Sequence, residues 1–398
     1  MNTSAESTAF RFDYRPATIR YDAGATAELD ATLAAYDVER ALVVAGTTTG
    51  TTPAVIDPVT NGAGERLADV FAETTPEKRL DTALDGAELY EAVDADGIIA
   101  LGGGSSLDVA KAIRALVASD DRDASVAAFA ETGALPVPDD LPPHVVVPTT
   151  LAGADLSLVG GLTATPTNGH VDEGIAGGIS APALMPDAAV YDPELVATTP
   201  SGVLRASAMN GFDKGLESLY ARTATPVTDG TAARGLRLLR ESLPTLGGDE
   251  PAYGAAVRGT ILVQYGIARP DATTLALIHA FGHGLTAHSS VQQGAAHAIV
   301  APHVLDYLFE HGDCRRDLLA DALGIQSDED PAAGVVEAVT AVRDGLDLPT
   351  RLRDVADIAK ADLPEIAATT AADGLVENVP PGIDVSDDAL TTVLRSAW

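Results

Sequence analysis

The sequence predicts an α/β domain with a Rossmann-like parallel sheet over residues 1–199 and an all-helical domain over residues 200–398. Apolar runs at Ala41–Gly46, Ile98–Leu101 and His144–Val147 have the length and composition of buried strands. These runs alternate with helical patterns, which favours a parallel sheet covered by helices on both faces. In the second half of the chain the patterns are helical only, so the sheet is expected to end with the first domain.

Other stretches of the first half are assigned by their local patterns. A run of threonines predicts a polar loop, and an acidic stretch with prolines near its end predicts a surface excursion. The predicted elements are a polar loop at Thr47–Thr52, a helix at Gly64–Ala72, a strand at Thr82–Leu84, a helix at Gly86–Val93 and a surface excursion at Ser119–Pro143.

The composition limits the classes of partner. The chain has 398 residues, a net charge of −33 and a sequence pI near 4.3. Such an acidic protein is expected to repel nucleic acids and anionic membranes. Its acids are spread along the chain, and this pattern is typical of halophilic proteins that stay soluble in concentrated salt. A single cysteine excludes an intrachain disulfide and fits a reducing compartment.

Lysine is rare, so the positions that keep it are informative. The four lysines are Lys78, Lys111, Lys214 and Lys360.

The segment Met1–Pro16 has no positively charged start followed by an apolar stretch, and the protein is therefore expected to be cytoplasmic.

A glycine-rich junction, Gly102–Ser105, follows the strand at Ile98–Leu101. The helical pattern after the junction carries Asp108 and Lys111. Glycines allow the backbone to approach a phosphate closely, and the first N–H groups of the next helix would face the anion. The spacing differs from the Rossmann turn and from the P-loop, and a simple turn is the alternative interpretation.

The ordered pattern GGGSxxDxAK in this junction resembles the phosphate loop of the iron-containing alcohol dehydrogenase superfamily. The segment Pro148–Ser157 resembles the corresponding part of its maleylacetate reductase branch. The resemblance spans about residues 15–310 and implies bound NAD or NADP. The implied cofactor-binding residues are Gly102, Gly103, Gly104, Ser105, Asp108, Thr149, Thr150, Leu151 and Gly46.

Gly46 bears on the choice of cofactor. In nucleotide-binding folds an acid at the end of this strand binds the ribose 2′-hydroxyl and repels a 2′-phosphate. Here Gly46 and a run of threonines occupy that place, and the site has room for NADP. NADP is therefore slightly favoured over NAD, with a plain loop as the alternative interpretation.

The resemblance also identifies the positions at which superfamily members bind iron or zinc through one Asp and three His. The residues at these positions are Asn210, Lys214, His279 and Gln293. Only His279 is a strong ligand, because the amides are neutral and the Lys214 ammonium would repel a divalent ion. No metal is therefore expected, and Lys214 is expected to polarise the substrate oxygen as an oxyanion hole does. A solvated helix lysine is the alternative for Lys214.

A second interpretation is that the protein binds a metal through a different set of residues. Asp213 and Glu217 lie four residues apart, as do His279 and His283, so two helices would offer two acids and two imidazoles. Against it, Glu217 matches a non-ligand position and Asp213 is expected to be an exposed acid. His283 matches a further non-ligand histidine and is expected to relay the proton. The alternative for His283 is a structural histidine.

The predicted function is an NAD(P)-dependent oxidoreductase that interconverts an alcohol and an aldehyde or ketone by hydride transfer in an interdomain cleft. Its predicted catalytic residues are Lys214, His283 and Asn210. Two alternatives stay open, a cyclising lyase resembling dehydroquinate synthase and a nucleotide-binding homologue that has lost catalysis. The expected partner is a small carbonyl or alcohol substrate, with a homodimer as a candidate assembly.

Overall fold

The apolar runs of the first half form strands in the computed structural model, which describes residues 10–14, 17–270, 272–326 and 330–398. The strands are β1 (Thr18–Tyr21), β2 (Ala41–Gly46), β3 (Leu67–Thr74), β4 (Gly97–Gly102), β5 (Ala134–Leu135), β6 (His144–Pro148), β7 (Val159–Ala164), β8 (Ile175–Ser180) and β9 (Ala188–Tyr191).

Helices occupy the segments between these strands and the second half of the described chain. They are α1 (Leu29–Ala34), α2 (Thr47–Thr51), α3 (Pro53–Ala63), α4 (Leu80–Ala92), α5 (Gly104–Val117), α6 (Arg122–Thr132), α7 (Pro193–Val196), α8 (Ser201–Tyr220), α9 (Pro226–Ser242), α10 (Tyr253–Gln264), α11 (Leu277–His288), α12 (Gln293–His311), α13 (Arg316–Leu323), α14 (Pro331–Gly345), α15 (Leu363–Ala371) and α16 (Asp387–Ser396). Short 3₁₀ helices lie at Ala25–Glu28, Gly64–Arg66, Pro166–Asn168, Pro182–Leu184, Leu243–Thr245, Leu352–Asp354 and Gly374–Asn378.

Six strands form one parallel sheet in the order β1-β9-β6-β4-β2-β3. Strands β4 and β6 are buried along their whole length, as expected for central strands with both faces covered. Side chains such as Val43, Ile99 and Val145 pack with Leu29 and Val59 from the covering helices. This sheet confirms the predicted α/β class, and the absence of strands after β9 in the described residues agrees with the predicted helical second half.

Three further strands form a second small sheet in the order β5-β8-β7. Strands β7 and β8 are antiparallel, whereas β5 and β8 are parallel. The sequence analysis did not predict this sheet, since the glycine-rich strands lack a clear period-two pattern.

Two predicted elements of the first domain are wrong. Gly64–Ala72 is a short 3₁₀ turn followed by the edge strand β3, because the helical spacing of Leu67, Val70 and Phe71 is overridden by pairing with β2. Thr82–Leu84 lies inside helix α4, which extends the predicted helix Gly86–Val93 toward its N-terminus.

Two predicted loops also contain regular structure. The threonine run forms helix α2, in which the Thr51 Oγ1 hydroxyl donates to the Thr47 carbonyl at 2.7 Å. The acidic stretch Ser119–Pro143 contains α6 and β5. Asp121 caps α6 by accepting a 2.9 Å hydrogen bond from the Ala124 N–H.

The described residues divide into two compact units. The α/β unit contains those within Pro16–Ala208 and Leu246–Val257, and the helical unit contains those within Met1–Arg15, Met209–Thr245 and Arg258–Trp398. The division falls inside α8, a few residues after the position 199 expected from the sequence. No helix among the described segments is long and apolar enough to cross a membrane.

Two helical glycines of the α/β unit provide a matched test of its packing. A Cβ on Gly62 in α3 would lie 1.9 Å from the Thr26 carbonyl oxygen, whereas a Cβ on Gly202 in α8 would have no neighbour within 4 Å. We expect Gly62→Ala to lower the free energy of unfolding by about 2 kcal/mol or more, because backbone must move. Gly202→Ala is expected to leave it unchanged or raise it by up to ~1 kcal/mol. Urea unfolding of the α/β unit measures both, and equal effects would contradict the packing.

Candidate active site

The glycine junction forms the N-terminus of helix α5. Gly103 is the N-cap, and no side chain accepts a hydrogen bond there. The Ser106 N–H donates to the Gly103 carbonyl at 3.1 Å, so the N–H groups of Gly104 and Ser105 are the ones left for another partner. Gly103, Gly104 and Ser105 are partly exposed, while the next eleven residues of the helix, 106–116, are buried. The loop therefore presents backbone donors and a positive helix end to solvent.

The glycines at this junction are required by the spacing around them. Gly102 has φ of +134°, a conformation that side chains other than glycine rarely adopt. A Cβ on Gly103 would lie 3.0 Å from Thr150 Cγ2, and a Cβ on Gly104 would lie 3.3 Å from Ala154 Cβ. The space that these side chains would fill is the kind of cradle in which a backbone approaches a pyrophosphate. The residues present therefore fit a dinucleotide.

The Pro-Thr-Thr segment continues this cradle from the end of β6. The Thr149 N–H donates to the Gly102 carbonyl at 3.0 Å, and the Thr149 side chain is buried. Leu151 is also buried, and its N–H donates to Ser207 Oγ at 3.2 Å. Thr150 alone of the three is partly exposed and lies beside Gly103. The structure thus brings these residues together, with Thr150 facing outward and its neighbours in supporting positions.

Asp108 lies in this region, and its carboxylate is hydrogen-bonded to other residues of the protein. It accepts from Lys78 Nζ at 2.8 Å and from the Gly161 N–H at 3.1 Å, and its side chain is 9% exposed. The sequence analysis expected Asp108 to bind the cofactor. In the structure this carboxylate is hydrogen-bonded within the protein, where it joins α5 to β7.

Lys111 also serves the fold. Its ammonium is fully buried and donates to the carbonyls of Val159 at 2.7 Å and Ala154 at 3.3 Å. Burial lowers the pKa of Lys111, and the nearby Asp108 carboxylate opposes that shift. The lysine of the motif therefore holds the segment that leads into β7.

Gly46 ends β2 close to the cradle. A Cβ on Gly46 would meet Ser106 Oγ and the Thr74 carbonyl oxygen, both at 3.5 Å. The Ser106 and Thr74 hydroxyls are hydrogen-bonded to each other at 2.7 Å. Gly46 therefore lies beside the start of α5, with the exposed Thr47 and Thr48 following it.

In the helical unit, α8 presents two different faces. Asn210 and Lys214 are partly exposed and lie one helical turn apart. Asp213 and Glu217 are fully buried. The expectation that Asp213 is an exposed acid is therefore wrong, because its position on α8 turns it into the interior of the helical unit.

Glu217, His279 and Asn210 form a connected chain. Glu217 Oε2 lies 2.6 Å from His279 Nδ1, and His279 Nε2 lies 3.0 Å from Asn210 Oδ1. With the amide oxygen facing His279, Nε2 carries the hydrogen, because a carbonyl oxygen only accepts. Nδ1 of the neutral ring then carries no hydrogen. It lies close to Glu217 Oε2, but neither of these two atoms has a hydrogen-bond partner among the described residues.

Burial supports this neutral arrangement. Burial raises the pKa of Glu217 to about 7, although the backbone N–H of His279, which donates to Glu217 Oε1 at 3.0 Å, opposes this increase. Burial lowers the pKa of His279 well below its ordinary value, and the positive charge of Lys214 lowers it further. Burial therefore favours a neutral imidazole beside a carboxyl group that is more easily protonated than an exposed one.

A second acid and histidine lie beside this pair. Asp213 Oδ2 and His297 Nδ1 are 3.4 Å apart, and the rings of His279 and His297 pack edge to face with centroids 4.5 Å apart. Burial raises the pKa of Asp213 well above its ordinary value and lowers that of His297. Gly282 makes room for this ring, since a Cβ there would lie 2.1 Å from His297 Nε2.

The residues at the family's metal positions do not fit a metal. Asn210 turns its oxygen toward His279 Nε2, which engages that ring nitrogen, and Lys214 brings a positive charge. Gln293, at the start of α12, offers only an amide. Across the described residues, no three His, Cys, Asp or Glu side chains are arranged to bind one ion, which removes the geometric support for the rival site.

His283 lies on α11 with its side chain 48% exposed, and its Nδ1 is 2.7 Å from Asp373 Oδ2. Burial opposes ionisation of Asp373, but hydrogen bonds from His283 and the Leu375 N–H lower the pKa of this carboxyl. The sequence analysis missed Asp373, which is ninety residues away in the chain. Only its position before the turn Gly374–Asn378 marks it as a capping residue.

The Glu217 carboxyl makes the stability of the helical unit depend on pH. Its pKa rises from 4.5 when unfolded to about 7 when folded, so its contribution is complete below the lower value and is lost as pH rises through the upper one. We expect the free energy of unfolding of Glu217→Gln, relative to that of the wild type, to increase by about 1–3 kcal/mol from about pH 5 to about pH 8. The reason is that the wild type loses the contribution of Glu217 over this range.

Denaturant titration in concentrated KCl at each pH measures this gain. The control is Glu241→Gln on the exposed face of α9, which removes the same charge without altering a buried site. A constant difference between Glu217→Gln and the wild type across the pH range would contradict the protonated buried acid.

Comparison with known proteins agrees with this architecture. The sequence model described as iron-containing alcohol dehydrogenase matches residues 16–193. The model of the Fe-containing alcohol dehydrogenase family, C-terminal, matches residues 205–398. Together the two matches cover most of the chain.

Individual relatives place the chain near the maleylacetate reductase branch. It is 27% identical to maleylacetate reductase of Rhizobium sp. strain MTP-10005 over 62% of this chain and 61% of that protein. It is 26% identical to maleylacetate reductase of Burkholderia cepacia over 98% of both chains. The sulfoacetaldehyde reductase of Bifidobacterium kashiwanohense, solved in complex with NAD⁺, has the same fold, with a TM-score of 0.84, 21% identity and coverage of 98% and 99% of the two chains.

The glycine cradle, the sheet order and both family matches lead to one conclusion. The chain belongs to the iron-containing alcohol dehydrogenase family and is an oxidoreductase of that family.

Proposed function

We propose that this oxidoreductase interconverts an alcohol and an aldehyde or ketone with NAD(P) and without a catalytic metal. The observation that carries the proposal is the replacement of the metal ligands around His279 by groups that donate or carry positive charge. A lysine ammonium supplies the charge that a metal supplies elsewhere in the family, since either stabilises negative charge on the substrate oxygen.

The orientation of Asn210 supports its role beside Lys214. The oxygen of the amide accepts from His279 Nε2, so its NH₂ group points away from that ring. An amide N–H and an ammonium one turn apart on the exposed face of α8 are a pair of donors for one substrate oxygen. The backbone N–H of His279 donates to Glu217 Oε1 at 3.0 Å, which holds the start of α11 beside α8.

The cofactor is assigned to the α/β unit. Backbone donors of Gly103, Gly104 and Ser105 hold the pyrophosphate, and Thr150 lines the cradle beside them. When bound, the reduced nicotinamide would supply the hydride. Asp108, Thr149 and Leu151 support this cradle from behind.

The substrate of maleylacetate reductases is not carried over. Superfamily members that bind iron or zinc have histidine at the positions that Lys214 and Gln293 occupy in this chain. We propose a small aldehyde or ketone as substrate, with His283 exchanging the proton that its oxygen gains or loses.

Metal analysis and a lysine variant test the proposal together. We expect near-zero zinc and iron per chain in protein purified from concentrated salt without chelator, and reduction of an aldehyde panel that EDTA does not inhibit. Lys214→Ala is expected to lower kcat by about 10²–10³-fold, because the oxygen loses its charged donor. The measurements are metal mass spectrometry and loss of NAD(P)H absorbance.

Lys360→Ala is the matched control, since it removes an exposed lysine of the same unit. One tightly bound metal per chain would refute the proposal. Cofactor binding without turnover of any aldehyde or ketone would point to a homologue that has lost catalysis. Turnover of a phosphorylated sugar acid without net change in cofactor absorbance would point to the lyase.

The proposed preference for NADP rests on Gly46. Its φ of −72° accepts any side chain, and a Cβ there would make only ordinary contacts. We expect Gly46→Asp to lower kcat/KM for NADPH by about tenfold or more and to spare NADH, because a carboxylate repels a 2′-phosphate. Gly46→Asn is the uncharged control of similar size. Equal losses with both cofactors would contradict the assignment.

A further inference from the structure

Asp373 and His283 are held together by more than one contact. Asp373 Oδ1 accepts from the Leu375 N–H at 2.8 Å and caps the turn Gly374–Asn378, while Oδ2 faces His283 Nδ1 at 2.7 Å. At the other end of this turn, Asn378 Nδ2 donates to the Leu275 carbonyl at 2.7 Å, two residues before α11 begins. Both ends of the turn are therefore fastened beside the helix that carries His283.

Helix α15 packs closely against α11, and this packing brings the Asp373 carboxylate next to His283. Gly284, the residue after His283, allows this approach, since a Cβ there would lie 2.2 Å from Thr370 Oγ1 and 3.0 Å from the Ile366 carbonyl oxygen. His288 Nε2 and Thr369 Oγ1, 2.7 Å apart, add a polar contact between the same helices. The position of Asp373 thus follows from a packed interface.

We infer that Asp373 is the positioning residue that makes His283 the proton-exchanging group of this enzyme. The carboxylate accepts the Nδ1 hydrogen, so the neutral ring keeps Nε2 as its bare nitrogen, and the half-exposed ring presents that nitrogen to solvent or substrate. This inference rests on the proposed function, because proton exchange at a substrate oxygen requires alcohol–carbonyl chemistry.

The proton balance of the step follows from this tautomer. In reduction the carbonyl carbon gains a hydride from NAD(P)H and its oxygen gains the proton of His283 Nε2. The imidazolium becomes the neutral Nδ1–H tautomer, still hydrogen-bonded to Asp373, and takes a new proton from water. In oxidation Nε2 accepts the hydroxyl proton. The other titratable groups that interact with His283 are His279 and His297, and burial keeps both imidazoles neutral.

Asp373→Asn is the variant that isolates this role. Asparagine still caps the turn through its oxygen, but its NH₂ group faces His283 Nδ1. Nδ1 must then accept, and the ring changes to the Nε2–H tautomer without loss of the fold. Glu377→Gln, an exposed acid in the same turn, is the matched control.

The first measurement is ¹⁵N NMR of the full chain with labelled histidine rings, with His283 identified by its loss in His283→Gln. We expect the Nδ1–H tautomer in the wild type and in Glu377→Gln, and the Nε2–H tautomer in Asp373→Asn. A wild-type ring already in the Nε2–H form, or an unchanged tautomer in Asp373→Asn, would overturn the inference.

The second measurement is kcat/KM in both directions. Asp373→Asn and His283→Gln are each expected to lose about 10²-fold or more, and the double variant no more than His283→Gln alone. Additive losses, or full activity of Asp373→Asn, would overturn the inference. If the wild type turns over no alcohol, aldehyde or ketone, the proposed function fails, and the NMR spectra show separately whether Asp373 sets the tautomer.

Discussion

The contact between Glu217 and His279 is the constraint on which the candidate site depends. Two groups that are usually charged meet inside the helical unit, where the cost of an unpaired charge is several kcal/mol. Burial favours the protonated acid and the neutral imidazole, which reduces this cost. The neutral ring donates its Nε2 hydrogen to the Asn210 amide oxygen, and this hydrogen bond orients the amide.

The four buried groups around this contact explain why the site is unsuited to a cation. A metal would need His279 Nε2 as a ligand, but that atom faces Asn210 Oδ1. Asp213 and Glu217 are close enough to raise each other's cost of ionisation, which favours their neutral forms. The same burial pattern leaves Asn210 and Lys214 partly exposed on the other face of α8, where the proposed function uses them.

The α/β unit also depends on buried charged groups. Its glycine cradle is shaped by close approaches to Thr150 and Ala154, and the buried Lys111 and the Asp108 carboxylate hold the segments behind it. Two of the four lysines in the chain therefore serve one anchoring network, since Lys78 also pairs with Asp108. Their rarity indicates importance, and the structure shows that this importance is structural.

The sequence alone determined the parallel sheet, the glycine junction at the start of α5 and the unusual residues at the metal positions. These features are local: strand periodicity, glycine spacing and ordered motifs are visible within about ten residues. Tertiary structure decided the rest, because burial and long-range partners are not local. It turned the helical pattern of Gly64–Ala72 into an edge strand, buried Asp213, and placed Asp373 on His283 across ninety residues of chain.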